Sequence, residues 1–515
     1  MDFCILHSAQ NNLLSVNKID IEIDISNGLH SFSIVGLGDK AVIEAGHRIS
    51  SAIKNSGYTS PKKRNQKIVI SLSPANIKKT GTNFDLGIAL AYLKSVGEIN
   101  FSSEGMMFLG ELSLSGEIKK IEAILPLLIF AKKNNFREVL VPQENTVHSS
   151  LIKNLKIIPV KNLRQAIEHL SRKKIIEPLR NYYAEVKDGT LIDKNNMKEN
   201  FDDFWLMIRG QQKGKRALEI VAAGGHNLAL YGPPGTGKTI LAKAIKSILP
   251  ALSYEEMIEC NSIFSISDKR DDLVFNPPFR EPHHSSSNSA IIGGGNYVKP
   301  GEISLAHNGI LLLDEAPEFD QKVINSLRQP LEENFISITR VNQKVTLPCK
   351  FSLIMTMNPC PCGYYKSNTR KCVCSASLVK KYQKKISGPI ADRIEIWCEI
   401  NNLDIHDLNP EKRNGKENLV LEEIKKRIID SRNIQKQRNL NSSLNAYIRG
   451  QEIIKKNLIE TDAINILELA FKKLKLSNRS YYNTLKVSRT IADLDKSLKI
   501  NSDHVLEALQ YRTKL

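Results

Sequence analysis

Short apolar runs of strand character alternate with longer stretches of helical period in the first third of the chain. Ile19 to Ile25, Lys67 to Leu72 and Glu138 to Val141 read as strands, and Lys40 to Ser56, Phe84 to Leu93 and Ile124 to Asn134 read as helices. Strands interleaved with helices predict an α/β or α+β domain over residues 1–165. Residues 166–200 are rich in charge and Asn and read as a linker. Residues 201–400 carry strong strand–loop–helix signals. Beyond Asn401 the chain is mostly polar and helical in period, for example over Leu458 to Leu474 and Leu485 to Leu498, which predicts a small helical domain over 401–515. No internal repeat is visible.

The sharpest local signal is LALYGPPGTGKT, Leu228 to Thr239. An apolar strand runs into GxxxxGK[ST], and a helix follows over Ile240 to Ile248. Gly232, Gly235 and Gly237, with Pro233, Pro234 and Thr236 between them, let the backbone fold around phosphates with its N–H groups pointing inward. Lys238 is expected to reach the β- and γ-phosphates, and the Thr239 hydroxyl to ligate Mg²⁺. Asp314 follows 75 positions after Thr239, in ILLLDE, Ile310 to Glu315. The four apolar residues predict a buried strand of a parallel sheet. Asp314 then sits at the strand's C-terminal end, where ligands bind in open α/β sheets, and is expected to hold Mg²⁺ directly or through water. Glu315 is placed to polarise the attacking water. FSLIMTMN, Phe351 to Asn358, is another apolar strand with a polar end, and Asn358 is a candidate to position the lytic water. Arg489, in LKVSRTIADL, is either an ordinary helix charge or a γ-phosphate contact from the helical domain.

Composition narrows the class. The 515 residues are 41% apolar, 25% charged and 6% aromatic, which excludes a disordered, collagen-like or coiled-coil chain. The longest apolar run, near Ala123 to Ala131, is too short for a membrane helix. MDFCILHSAQ has no basic stretch before an apolar core, so a cytoplasmic protein is expected. A net charge of +18 reads either as a solvated basic surface or as the footprint of a polyanionic partner, most often nucleic acid. Four of the eight Cys lie between Cys360 and Cys374, a clustering that suggests a metal site more than disulfides.

The ordered set of motifs resembles an AAA+ ATPase of the magnesium-chelatase-like type, the YifB/ComM family. Beyond the two nucleotide motifs the resemblance rests on FREPHHSSSNSAIIGGG (Phe279 to Gly295), PGEISLAHNGILLLDEAPEF (Pro300 to Phe319), LRQPLEE (Leu327 to Glu333), MTMNPCPCGYY (Met355 to Tyr365), ISGPIADRIEI (Ile386 to Ile396) and LKVSRTIADL (Leu485 to Leu494). It continues through FSIVGLGDKAVIEAGHR, ISLSPANIKKTGTNFDLGIAL and FLGELSLSGEI, and so covers nearly the whole chain. Ala316, where Leu is expected, is one departure beside the acid pair. The fold implied is an N-terminal Lon-protease-like (ribosomal S5-like) domain, an AAA+ parallel-sheet domain and a C-terminal helical lid. The resemblance makes Arg393 an arginine finger for a neighbouring subunit's nucleotide, where by itself it would be a surface ion-pair partner. It also places Asn83 and Leu125 where the protease has its Ser and Lys. An amide and an isobutyl group make no Ser–Lys pair, and neither Ser71 nor Ser73 sits in the right turn.

FISITRVNQKVTLPCKF alternates at strand period: Ile336 and Ile338 go out, Asn342 and Gln343 turn, and Val345 and Leu347 return. Arg340 and Lys344 flank the tip of this hairpin. In helicase relatives such a tip enters the central pore, so the resemblance implies phosphate contacts to DNA from Arg340 and Lys344; a solvated tip is the plain alternative. Asp268 to Gly295 looks like a helix-2 insertion. His283 and His284, as chain neighbours, are expected to point to different sides and to serve structure rather than a metal. Cys360, Cys362, Cys372 and Cys374 form two CxC pairs whose sulfurs suit tetrahedral Zn²⁺, although the spacing is not the common C-x₂-C. The reading is a hexameric ATP- and Mg²⁺-dependent DNA motor with helicase or branch-migration activity on recombination intermediates, as in natural transformation. The rival is a protein-remodelling motor of chelatase type.

Overall fold

In the strand Ser15–Asn27, Ile19, Ile21, Ile23 and Ile25 are buried while Asp20, Glu22 and Asp24 line the more open face, the alternation of a one-sided antiparallel strand. A computed structural model describes residues 4–180, 186–187, 190–191, 202–267, 272–295, 298–340, 343–367, 370–386, 388–402, 417–475 and 477–512. They form two compact units, Met1–Ile192 with Ser253–Val274, and Asp193–Leu252 with Phe275–Leu515.

In the first unit a mixed sheet runs in the order β1-β2-β4-β3, from β1 (Cys4–Asn12), β2 (Ser15–Asn27), β3 (Ser31–Val35) and β4 (Gln66–Ser73). Asp39 caps α1 (Lys40–Asn55) by accepting from Val42 N at 2.9 Å. α2 (Asp85–Ser95) is buried from Asp85 to Leu93 and packs on α1, β1 and β2. Its first residue, Asp85, is a buried carboxylate to which Arg48 Nε and Nη2 donate at 3.0 and 3.2 Å. Burial outweighs the guanidinium and pushes this carboxyl up to about 6. A second, all-parallel sheet joins β5 (Met106–Phe108), β6 (Glu138–Pro142) and β7 (Lys156–Val160), with α3 (Ile124–Lys133) between β5 and β6 in the chain.

Two segments extend this unit beyond the sequence reading. Leu163–Leu170 is a helix with Leu163, Ala166, Ile167 and Leu170 buried, so ordered chain runs into the stretch expected to be a linker. The helix Tyr254–Ser267, from inside the nucleotide-binding sequence block, packs on α3. Tyr254 Oη donates to the Leu151 carbonyl at 2.8 Å and accepts from Lys153 N at 3.3 Å.

The second unit holds α4 (Gln212–Gly224), β8 (Leu228–Tyr231), α5 (Lys238–Lys243), β9 (Phe279–Arg280), β10 (Gly309–Leu313), a hairpin of β11 (Phe335–Arg340) and β12 (Gln343–Pro348), β13 (Phe351–Met357) and β14 (Ile396–Glu399). The sheet order is β9-β10-β13-β8-β14, all parallel. Every residue of β8, β10 and β13 is buried, as expected of strands in an all-parallel sheet. Helices Asn288–Ile292 and Glu302–Leu305 flank a two-stranded ribbon, Gly293–Gly294 against Lys299–Pro300; the first helix and first strand fall within the Asp268 to Gly295 stretch expected as a helix-2 insertion, and the rest lies beyond it. The C-terminal part is helical: α6 (Glu417–Arg438), α7 (Thr461–Leu474), α8 (Asn478–Leu494) and α9 (Ser502–Gln510). α8 starts earlier than its apolar period, because Ser477 caps it by accepting from Ser480 N. It stops at Leu494, where Lys496 takes the left-handed conformation, φ +57°.

Asp85→Ala is expected to cost about 3–5 kcal/mol in denaturant unfolding, because it leaves the Arg48 charge half-buried and unpaired. Arg48→Met combined with Asp85→Leu is expected to cost less than Asp85→Ala alone.

Candidate nucleotide-binding and hydrolysis site

β8 delivers the chain to Gly232, whose missing side chain matters: a Cβ there would lie 2.0 Å from the Ile400 carbonyl oxygen. Gly235 and Gly237 turn the loop at φ +78° and +81°, and Gly237 begins α5. Pro234, Gly235 and Gly237 are exposed on the rim, while the Thr236 hydroxyl turns inward and donates to the Pro233 carbonyl at 2.9 Å.

Lys238 folds back under this loop. Its Nζ donates to the carbonyls of Gly232 (2.9 Å) and Pro233 (2.7 Å) and to Asn358 Oδ1 (3.1 Å). The residue is only 9% exposed, and burial pushes its ammonium down to about 8 against the opposing pull of Asp314 and Glu315. The Thr239 hydroxyl donates to Asp314 Oδ1 at 2.9 Å. Thr356 on β13 donates to the same oxygen and accepts from Glu315 N at 3.0 Å. Glu315 turns out of β10 at φ +53° with its side chain exposed. The structure thus forms two hydrogen-bonded groups, Lys238 with Asn358 and Thr239 with Asp314 and Thr356, and the pull of Asp314 and Glu315 on the Lys238 ammonium makes them neighbours. The oxygen acceptors on Lys238 Nζ are of the kind a phosphate also offers, and a hydroxyl beside a carboxylate is the hard-oxygen pair that Mg²⁺ takes.

The arginines lie elsewhere. Asn227, just before β8, donates from Nδ2 to the Arg393 carbonyl at 2.9 Å, so Arg393 lies at the N-terminal end of β8, opposite the end that carries its own phosphate loop. Its guanidinium pairs with Glu332, and its buried Nε has no partner among the described residues. Arg479, near the start of α8, pairs with the same Glu332 carboxylate. The sequence did not single out Arg479, and it left Arg489 as either an ordinary helix charge or a γ-phosphate contact. Arg489 is fully buried, its Nε donating to Asp493 Oδ1 at 3.2 Å and its Nη1 to the carbonyls of Leu498 (3.0 Å) and Leu458 (3.3 Å). Its hydrogen bonds all lie within the helical part, the structural role that the sequence left open for it.

The hairpin pairs Arg340 with Gln343 and Thr339 with Lys344, so Arg340 and Lys344 flank its closed end. Gln343 belongs to the strand rather than the turn, and Asn342 lies outside the described residues. His283 and His284 do not point apart: their rings stack with centroids 4.1 Å apart because the chain turns there, and His283 Nδ1 bonds Ser285 Oγ at 2.7 Å. In the first unit Asn83 is half-buried and Leu125 fully buried in α3. The four clustered cysteines bring their Sγ atoms within 4.8 Å of one another. Among the described residues no helix is long and apolar enough to cross a membrane.

Three regions match models of one family. Residues 204–408 match "Magnesium chelatase, subunit ChlI", residues 21–145 match "Subunit ChlI of Mg-chelatase", and residues 421–512 match "Magnesium chelatase, subunit ChlI C-terminal". The chain is 36% identical to competence protein ComM of Haemophilus influenzae, over 99% of this chain and 98% of that one. It is 38% identical to YifB of Salmonella typhimurium, over 99% and 97%. It is also 26% identical to Lon protease 2 of Bacillus subtilis over 48% of either chain. Together with the phosphate loop and its parallel sheet, these matches define an AAA+ chain of the magnesium-chelatase-like type. More particularly, the chain belongs to the ComM/YifB family.

Burial holds Lys238 at about 8 while a facing phosphate returns it toward the ordinary 10.5, so ATP binding takes up a proton above that pH. ATP affinity is therefore expected to fall roughly tenfold from about pH 7.5 to about pH 9, read by isothermal titration. A flat profile would show that the lysine is already fully protonated without nucleotide.

Proposed function

We propose that this chain is a subunit of a ring-forming, hexameric ATP-driven DNA motor with helicase or branch-migration activity on recombination intermediates. The observation that carries the ATPase half is Lys238 and Asn358 meeting beside the Thr239–Asp314 pair. The loop N–H groups and Lys238 bind the phosphates. Thr239 and Asp314 hold Mg²⁺, which when bound neutralises phosphate charge. Asn358 positions the water, and Glu315 takes its proton. Arg393 reaches the γ-phosphate of a neighbouring subunit, which its place at the far end of β8 from its own phosphate loop supports, and Arg479 accompanies it because the two share Glu332. The DNA half rests on the net charge of +18 and on a hairpin that brings Arg340 and Lys344 to its closed end. The name of the Haemophilus relative, a competence protein, supports a role in handling transforming DNA.

The magnesium chelatase models favour a second reading, a motor that remodels a protein partner. Steady-state ATP turnover with and without a synthetic four-way junction, at about 100 mM salt, separates the two. The DNA motor is expected to be stimulated by the junction. Arg340→Ala with Lys344→Ala should remove that stimulation, and Lys238→Ala should lower turnover by at least about 100-fold. Turnover indifferent to every DNA, yet still lost in Lys238→Ala, would move the protein-remodelling reading to the front.

A further inference from the structure

Two residues beyond Asn358 the chain enters a tight knuckle, Cys360-Pro361-Cys362-Gly363, and a second pair, Cys372 and Cys374, comes back onto it. The Sγ atoms of Cys360, Cys362 and Cys372 are 3.4, 3.6 and 3.7 Å apart pairwise, and Cys374 completes a group with no pair beyond 4.8 Å. A disulfide needs sulfurs about 2.05 Å apart, whereas zinc at about 2.3 Å from each of four sulfurs sets tetrahedral edges of about 3.8 Å. The observed spacing is that of ligands around one ion, not of bonded pairs. Cys360 is fully buried and the other three half-buried, so the thiols form a lined pocket rather than a surface scatter. The N–H groups of Tyr364 and Val373 are directed at Cys362 Sγ, the usual outer support of a metal thiolate. Lys366, Arg370 and Lys371 lie in the same short loop, and their charge offsets the two negative charges of a zinc bound by four thiolates.

The knuckle also touches the phosphate loop. Gly363 stands at φ +85°, and a Cβ on it would lie 2.6 Å from Pro234 Cδ. On its other side Gln383 Nε2 donates to the Pro359 carbonyl at 3.1 Å. The segment that carries Asn358 to Lys238 is therefore clamped between the phosphate loop and the cysteine group.

We propose that Cys360, Cys362, Cys372 and Cys374 bind one zinc ion, and that this knot braces the phosphate loop and Asn358 for nucleotide. The four thiols bind as thiolates and release their protons to solvent. The bracing half rests on the nucleotide-site reading above; the metal half does not.

The test uses the full chain. Elemental analysis is expected to find about one zinc per chain. Metal-stripped protein titrated with Co²⁺ is expected to show thiolate-to-cobalt charge transfer and the visible ligand-field bands of a tetrahedral four-sulfur site. Zinc release from the folded protein by a thiol-blocking reagent with a chelator is expected to weaken binding of a fluorescent ATP analogue at least fivefold or so, with the far-ultraviolet circular dichroism retained. Gly363→Ala keeps all four ligands, crowds Pro234 and strains the knuckle turn at φ +85°; it is expected to keep its zinc and lose nucleotide affinity to a similar extent. Protein that carries no zinc and gives no cobalt spectrum overturns the metal site. A bound zinc whose removal leaves nucleotide affinity unchanged, with Gly363→Ala also unchanged, overturns the bracing. DNA enters neither readout, so failure of the DNA-motor reading leaves both results intact, and wild-type protein that takes zinc but no nucleotide overturns the site reading and the bracing together.

Discussion

The carboxylate of Asp314 is the point on which the nucleotide site is assembled. Hydrogen bonds from Thr239 and Thr356 meet on it, and Thr356 in turn receives the Glu315 N–H. These residues come from or just beyond β8, β10 and β13, which are neighbours in the sheet with parallel register. The strands are wholly buried and largely apolar, and Thr356, the hydroxyl that serves the site, lies one residue from the C-terminal end of β13. The geometry is thus a product of register. A slip of one residue in β13 would remove Thr356 from Asp314 and Asn358 from Lys238 together.

That logic explains what was legible in the sequence. The phosphate loop and the ILLLDE strand announce themselves because strand, turn and helix signals sit next to one another. The sheet order that unites them involves distant segments, but each strand's burial is written in its own apolar run. The failures have physical causes too. Arg489 lies on the same helical stripe as Leu485, Ser488 and Ala492, the spacing of a buried face, and that stripe argued for a structural role. Arg479 precedes the apolar period of α8, in the turn that Ser477 caps, and its partner Glu332 is far off in sequence. The helix Leu163–Leu170 carries an unbroken helical stripe of Leu163, Ala166, Ile167 and Leu170, but the charge and Asn content of the chain that follows drew the linker boundary through it. The stacking of His283 on His284 depends on a turn that neither residue signals.

The two ends of the sheet have different characters. One gathers the lysine, hydroxyl and carboxylates of a phosphate site; the other, reached through Asn227, carries Arg393 beside Glu332 and Arg479. Glu332 closes a short helix immediately before the hairpin of β11 and β12, whose base is tied by Cys349 N donating to the Asn334 carbonyl at 2.9 Å. In the ring reading, the same short stretch of chain therefore bears on both the arginines and the basic hairpin.

The helix Tyr254–Ser267 gives the chain an unusual wiring. The polypeptide crosses from one compact unit to the other after residues 192, 252 and 274, so no single cut separates them. A protein shortened to the nucleotide-binding block would carry Met257, Cys260 and Ile263 on a helix stripped of α3, and its apolar side would invite aggregation. Two finished domains joined end to end do not have this layout. The nucleotide-binding stretch of sequence supplies one helix to the packing of the other unit, so a cut between the two stretches strands that helix.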